Sequence, residues 1–188
     1  MSHPRGPWTV HRTRCPYEDA FVRVSVDEVT RPDGEAGTYA TVDVKPGVAV
    51  LPVDGEGRVH LVRQFRYALG AESLECVEGG LEAGEEPEAG ARRELHEELG
   101  IEADAWTALP PVELDTALVR CPMRLFVARG LTFGRPEPDD AEDVRTVRLP
   151  LDEAVRRVER GEIADVVSAL LVLLAARVVA RDGEGAAG

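Results

Sequence analysis

One helical segment interrupts a chain whose first half otherwise has the alternating pattern of β-strands. Pro87 suits the first turn of a helix, and Gly100 suits the position just past a helix end. Between them, apolar residues recur every four positions at Ala91, Leu95 and Leu99. The pattern predicts a helix of about 13 residues, which is an ordinary length. Strands before and after helices indicate a mixed β-sheet between helices, an α/β (α+β) fold.

The remaining elements follow from alternation of apolar and polar residues and from turn signals. The predicted elements are strands over residues 21–26, 38–44, 48–53, 58–62, 73–77, 123–128 and 144–149, and further helices over 151–160 and 165–181. Pro46-Gly47 breaks the pattern, so residues 1–45 are predicted to form a small N-terminal sheet and residues 46–181 the main domain. Residues 182–188 are predicted to be a disordered tail.

The charge of the chain excludes two classes of partner. Its 35 acidic residues outnumber its 22 basic residues, giving a formal net charge of -13. Such a surface repels nucleic-acid phosphates and anionic membranes, so neither is predicted as a partner. The three cysteines form no metal-binding pattern, and the N-terminus lacks the apolar core of a signal peptide. The most apolar segment, residues 166–180, is shorter than the roughly 20 residues of a membrane span. These features predict a cytoplasmic protein with reduced thiols.

Three carboxylates share one face of the predicted helix. Glu94, Glu97 and Glu98 are spaced i, i+3 and i+4, so their side chains project together. Because like charges at this spacing repel, the face either lies in water or holds a multivalent cation. Oxygen ligands in this number favour Mg²⁺ or Mn²⁺. The spacing alone leaves both interpretations open.

The residues around this helix form a longer pattern. Gly79 begins a loop that precedes the helix, and it allows the main chain to approach a ligand closely. Arg93 can pair with Glu85 to hold this loop against the helix. Residues 79–101 have a glycine, five residues, a glutamate, seven residues, and then Arg-Glu-apolar-x-Glu-Glu-x-Gly-apolar. This resembles the Nudix box, in which Gly79, Glu85, Arg93 and Gly100 take structural positions.

The resemblance extends over most of the chain, to the ADP-ribose pyrophosphatase and nucleoside-diphosphate-sugar hydrolase branch of the Nudix superfamily. The segments that carry it outside the box are residues 29–34, 62–67, 74–75, 142–144, 149–154 and 161–165. The resemblance implies a Nudix αβα sandwich with a mixed sheet, plus a small N-terminal antiparallel sheet that exchanges with a partner subunit in a homodimer. It also implies Mg²⁺- or Mn²⁺-dependent hydrolysis of the pyrophosphate bond of ADP-ribose or another nucleotide sugar, giving nucleoside monophosphate and sugar phosphate.

The resemblance implies a role for each carboxylate of the helix. Glu94 and Glu98 are the firmest metal ligands, Glu97 is the next, and the backbone carbonyl of Glu78 joins them. For Glu97 the alternative is a salt bridge with Arg93, which lies at the same i,i+4 spacing.

The resemblance also implies that a later acidic loop, residues 139–143, takes part in proton transfer. Glu142 matches a metal-binding glutamate of the branch, and Asp140 matches a catalytic glutamate two residues earlier. Loops suit this task because they can close over a substrate. Which carboxylate acts as the base is left open, and Glu97 is retained as a further catalytic candidate.

Three residues outside the box are predicted to contact the substrate. Arg66 suits bidentate contact with an anionic substrate, although a surface strand arginine is the plain alternative. Glu75 is predicted to orient substrate or metal. Arg120 is predicted to lie near the substrate, with simple solvation as the alternative.

The sequence differs from the branch at two places. Glu78 stands where alanine is usual, and residues 115–117 stand where Ser-Pro-Gly is often found. Because that loop helps to define the substrate, dinucleoside polyphosphates and coenzyme A are alternative substrates. The alternative from a different class is a non-catalytic sensor that binds a nucleotide sugar, although such relatives typically lose box carboxylates that this chain keeps.

Overall fold

The computed structural model of the protein describes residues 2–137 and 144–185. In these ranges the chain forms three helices, α1 (Pro87–Leu99), α2 (Leu151–Glu159) and α3 (Val166–Gly185). The strands in the same ranges are β1 (His3–Arg5), β2 (Trp8–Glu18), β3 (Val22–Thr30), β4 (Ala36–Val44), β5 (Gly47–Pro52), β6 (Arg58–Arg66), β7 (Ala71–Glu75), β8 (Val77–Gly80), β9 (Ile101–Ala108), β10 (Val112–Asp115), β11 (Val119–Phe133) and β12 (Arg145–Pro150). None of the described helices combines the length and apolar character that crossing a membrane requires.

The chain divides into two compact units, the first made of Met1–Pro46 with Glu113–Pro122 and the second of Gly47–Val112 with Met123–Gly188. In the first unit, β1 to β4 pair antiparallel in chain order, and the start of β11 lies parallel to β4. Strands β1 and β2 are not predicted from the sequence. Most of β2 is exposed, so its residues lack the alternation that a half-buried strand shows.

The second unit contains two sheets. In the larger one, β5 lies between β8, which is antiparallel to it, and β11, which is parallel to it. Strand β9 pairs antiparallel with the other edge of β11 and is not predicted from the sequence, because its alanines are weak strand formers. The smaller sheet has the order β12-β6-β7, with all pairs antiparallel. This mixed arrangement agrees with the predicted fold class.

Strand β5 is covered by a helix on each face. Val48 and Val50 pack in one core with Ala91 and Leu95 of α1. Leu51 points to the opposite face because side chains alternate along a strand, and α3 packs against β5 as well. All residues of β5 are buried, as expected for a strand enclosed from both sides. The core of this unit thus fixes α1 against the sheet whose strand β8 leads into the loop before the helix.

The helix bounds agree with the sequence pattern at α1 and differ slightly elsewhere. Helix α2 ends at Glu159, one position before the predicted end. Helix α3 continues to Gly185, beyond the predicted end at Arg181. Asp165 lies just before α3, and its Oδ1 accepts the N–H of Ser168 at 2.7 Å, which is an N-cap hydrogen bond.

The turn between β5 and β6 is held by a buried carboxylate. Asp54 Oδ1 accepts the N–H groups of Glu56 and Arg58 at 2.9 and 3.0 Å. Its Oδ2 lies 3.3 Å from His60 Nε2 and 2.9 Å from Arg148 Nε. Burial opposes ionisation of Asp54, but these hydrogen bonds prevail and lower its pKa to about 2. Burial also lowers the pKa of His60, which favours its neutral form.

We expect Asp54→Asn to lower the free energy of unfolding at pH 7 by about 2 kcal/mol, because the depressed pKa reports that much stabilisation of the charged form. A depressed carboxylate pKa gives stability that is complete above the unfolded value of 3.8 and is lost as the pH falls through about 2. Urea denaturation at pH 7 and at decreasing acidic pH measures the difference between the variant and the wild type.

The exposed carboxylate of Glu159 provides the control. Glu159→Gln is expected to change the free energy of unfolding by less than about 0.5 kcal/mol, as is usual for a surface substitution. A difference between Asp54→Asn and wild type that stayed constant down to the lowest pH would contradict the assigned pKa.

Candidate functional site

The residues at the two ends of helix α1 determine where the helix begins and where it stops. Pro87 takes the first helical position after Glu86, as predicted. Gly100 ends the helix with a φ of +62° and donates its N–H to the carbonyl of His96 at 2.8 Å. A Cβ on Gly100 would overlap the main chain at Arg135, so glycine is required by both conformation and space.

Arg93 joins the loop to the helix. Its Nε and Nη2 donate to the two carboxylate oxygens of Glu85 at 3.0 and 3.1 Å, and Nη2 also donates to the carbonyl of Gly80 at 3.1 Å. Its Nη1 donates to Glu94 at 2.7 Å and to Glu97 at 2.9 Å. Hydrogen bonding to Glu85 is the main cause that raises the pKa of Arg93. The predicted pair with Glu85 is present, and so is the alternative salt bridge with Glu97.

Gly79 on β8 makes room for a carboxylate of α1. A Cβ on Gly79 would overlap the carboxylate of Glu94, so the missing side chain leaves the space that this carboxylate fills. The side chain of Glu94 is 13% exposed, and Glu98 is buried. Glu94 therefore lies against the main chain that follows Glu78, whose carbonyl is a predicted metal ligand.

The donors on this face suit a hard divalent cation. They are carboxylate oxygens and a main-chain segment, and Mg²⁺ and Mn²⁺ prefer oxygen ligands. Within residues 2–137 and 144–185, no three His, Cys, Asp or Glu side chains are gathered as a ready-made cation site. Arg93 Nη1 lies between Glu94 and Glu97, so these two carboxylates must turn from it to share one cation. Their type and position fit the predicted ion, and their roles as ligands stay predictions.

Arg66 and Glu75 form an ion pair across the neighbouring strands β6 and β7. The side chain of Glu75 is 5% exposed and accepts hydrogen bonds from Nε of Arg66 at 2.9 Å and from its Nη2. Burial lowers the pKa of Arg66, but contact with Glu75 and the charges of Glu78 and Glu98 raise it. Through Glu98, the predicted anion-binding arginine interacts electrostatically with the acidic face of α1.

The side chain of Glu78 is directed toward α3. Its Oε1 accepts the hydroxyl hydrogen of Ser168 at 2.7 Å. Burial, together with the negative charge of Asp165, raises the pKa of Glu78 well above its usual range. Neither Ser168 nor Asp165 is among the predicted site residues. A serine inside the apolar stretch of α3, three residues after an aspartate, is the sequence signal that could have found them.

Of the three remaining predicted residues, the structure describes Arg120 alone. Arg120 belongs to the first unit, where its 74% exposed side chain donates from Nε to Asp43. Asp140 and Glu142 lie outside the described residues. The roles of these residues in substrate binding, metal binding and proton transfer stay predictions.

The sequence of this chain matches a known family and known relatives over most of its length. A family model described as NUDIX domain matches residues 43–170. The chain is 38% identical over 152 residues to an ADP-ribose pyrophosphatase of Mycobacterium tuberculosis, covering 78% of this chain and 72% of the relative. It is 34% identical over 158 residues to an ADP-ribose pyrophosphatase of Bacillus subtilis, covering 83% and 85%.

A solved structure has the same fold. It is described as an ADP compounds hydrolase and superposes with a TM-score of 0.81, covering 97% of this chain and 99% of that chain. The sequence identity of this pair is 21%, so the match concerns the fold alone.

We expect Gly79→Ala to weaken Mn²⁺ binding by at least about 10-fold, because the added methyl group displaces the Glu94 carboxylate and changes in the support of a metal site have effects of this size. Electron paramagnetic resonance of free Mn²⁺ measures the affinity without any substrate. Gly55→Ala is the matched control, since a Cβ there meets no heavy atom within 4 Å. Equal Mn²⁺ affinity in Gly79→Ala and wild type would contradict the assigned site.

Proposed function

The chain belongs to the Nudix family, and from this we propose that it hydrolyses the pyrophosphate bond of a nucleoside diphosphate derivative. The preferred substrate is ADP-ribose or another nucleotide sugar, and the products are nucleoside monophosphate and sugar phosphate. Two relatives that each match more than two thirds of this chain are named ADP-ribose pyrophosphatase, which supports this class of substrate. The observation that carries the proposal is the fit of the Glu94 carboxylate against the side-chain-free Gly79, beside the buried Glu98.

Nudix pyrophosphatases generally need a divalent metal, and we assign Mg²⁺ or Mn²⁺ to this chain. Glu94, Glu97 and Glu98 would hold the ion with the backbone carbonyl of Glu78. When bound, such an ion neutralises the charge of the diphosphate and lowers the pKa of coordinated water. Glu97 suits a contact near the solvent side, because its side chain is 42% exposed whereas Glu98 is buried.

Arg66 binds the diphosphate in this proposal, and Glu75 holds Arg66 in place. The Nε and Nη2 groups of Arg66 are engaged by Glu75, so contact with substrate uses the Nη1 edge of the guanidinium. Glu75 is therefore assigned to orienting Arg66, which is narrower than the predicted role in orienting substrate or metal. Arg120 is retained as a second substrate contact.

Proton transfer is assigned to a carboxylate of the loop that contains Asp140 and Glu142. One of these groups accepts the proton of the attacking water, and Glu97 of α1 is the remaining candidate. A positioned base contributes roughly 100- to 10,000-fold in rate. Removing the base is therefore expected to lower the rate by an amount large enough to tell the base from a neighbouring metal ligand.

The proposal includes a cytoplasmic homodimer with a small-molecule substrate. Exchange of the N-terminal sheet, residues 1–45, between subunits is proposed from the family resemblance. The proposed compartment is reducing, because three widely spaced cysteines form no disulfide framework in the sequence. The acidic balance of the chain supports the absence of nucleic-acid and membrane partners.

We expect the purified protein with Mg²⁺ or Mn²⁺ to release nucleoside monophosphate from ADP-ribose in a panel that includes UDP-glucose, GDP-mannose and dinucleoside polyphosphates. Glu98→Gln is expected to lower kcat/KM by about 100-fold or more, because an amide removes the charge of a metal ligand. Chromatography of the products and circular dichroism of the variant measure activity and folding together.

The matched control is Glu88→Gln on the same helix. The side chain of Glu88 is 52% exposed and pairs with Arg92. The hydrolytic activity of the Glu88→Gln variant is therefore expected to equal that of wild type. Binding of nucleotide sugar by the wild type without turnover under either metal would favour the sensor instead. Full activity of Glu98→Gln would contradict the assigned metal site.

The variants Asp140→Asn and Glu142→Gln distinguish base from ligand. Loss of the base is expected to lower kcat by about 100-fold with the metal requirement unchanged. Loss of a ligand is expected instead to raise the Mn²⁺ concentration that gives half-maximal rate. Titration of each variant with Mn²⁺ under saturating substrate measures both effects. If both variants kept the wild-type kcat and the same metal requirement, the loop would be excluded and Glu97 would become the base.

A further inference from the structure

The chain of the second unit crosses from one sheet to the other through a single residue. Strand β7 ends at Glu75 in the smaller sheet, and β8 begins at Val77 in the larger one. Cys76 belongs to neither strand and is fully buried, so its N–H needs a partner outside the ladders. Ser168 of α3 supplies that partner, since its Oγ accepts the Cys76 N–H at 2.9 Å.

The same hydroxyl makes a second hydrogen bond. Ser168 Oγ donates to Oε1 of Glu78 at 2.7 Å, and the Cys76 thiol lies 3.8 Å from the Ser168 carbonyl. Ser168 has no solvent exposure, and its own N–H is fixed by Asp165 at 2.7 Å. One buried hydroxyl therefore ties both sides of Val77 to the first turn of α3.

The crossover joins two parts of the site. On its β7 side, Glu75 holds Arg66 by hydrogen bonds to Nε and Nη2. On its β8 side, the main chain after Glu78 lies against the carboxylate of Glu94. A displacement of β7 relative to β8 at the crossover therefore changes the separation between the guanidinium and the predicted metal-binding carbonyl.

We propose that Ser168 is a positioning residue that fixes this separation through Cys76 and Glu78. The inference rests on the proposed function, and it adds α3 to the elements that set the geometry of the site. Removing the hydroxyl leaves the buried Cys76 N–H without its partner and takes one hydrogen bond from the Glu78 carboxyl group, which also interacts with Asp165. Because an unpaired buried N–H is costly, the main chain at the crossover is expected to move to regain a partner. Displacements of about 1 Å in a site are enough to cost roughly 100-fold in rate.

The test compares Ser168→Ala with Val167→Ala. Val167 is the preceding residue and is also buried, but it has no hydrogen bond to the crossover through its side chain. Ser168→Ala is expected to weaken Mn²⁺ affinity by roughly 5- to 10-fold and to lower kcat/KM by roughly 10- to 100-fold. Val167→Ala is expected to lower thermal stability while leaving both quantities at the wild-type level, measured where each variant is folded.

A second variant keeps the test usable if Ser168→Ala fails to fold. Ser168→Cys has nearly the same shape but a weaker hydrogen-bonding group, so its Mn²⁺ affinity is expected to lie between wild type and the alanine variant. Electron paramagnetic resonance reports the affinity with no substrate present, and steady-state kinetics reports kcat and KM separately.

The outcomes separate this inference from the function on which it rests. Wild-type protein that neither binds Mn²⁺ nor hydrolyses any diphosphate would overturn both. Wild-type binding and turnover that Ser168→Ala and Ser168→Cys both retain in full would overturn the role of Ser168 alone. An equal loss of Mn²⁺ affinity in Val167→Ala would also overturn it, because the effect would then come from packing of α3.

Discussion

The site depends on one guanidinium. Arg93 contacts Glu85 and the Gly80 carbonyl on the loop and Glu94 and Glu97 on the helix, so a single side chain connects the two segments that must meet. Without such a positive charge, carboxylates at i,i+3 and i,i+4 spacing would repel each other and weaken the helix. Arginine suits this position because its planar fork donates in several directions at once and stays charged.

The local features of the site could be predicted because they are encoded in short segments. Pro87 and Gly100 mark the ends of α1, and the spacing of the carboxylates places them on one face. The predicted membership in the ADP-ribose branch of the Nudix family and the mixed α/β architecture are confirmed by the family match and the structural match. A motif of fixed residues at fixed spacing identifies the family and its fold even where the pattern of a single strand does not identify that strand.

Features that depend on tertiary contacts could not be predicted in the same way. The exposed strand β2 lacks an apolar face, so no periodicity marks it. The electrostatic effect of Glu98 on Arg66 and the hydrogen bonds of Ser168 involve residues far apart in sequence, and no local pattern reports such interactions. Glu78 shows the difference well. Its departure from alanine is visible in the sequence, whereas the direction of its carboxyl group toward α3 is visible only in the fold.

We propose that the acidic face of α1 and the backbone carbonyl of Glu78 together hold the divalent ion that makes a diphosphate cleavable. Anomalous diffraction from crystals grown with Mn²⁺ and a non-hydrolysable ADP-ribose analogue tests it most directly. We expect an anomalous peak that places Mn²⁺ against the carboxylate oxygens of Glu94 and Glu98, with the diphosphate of the analogue bound to the same ion. A bound analogue with manganese elsewhere, and with Glu94 still paired to Arg93, would contradict it.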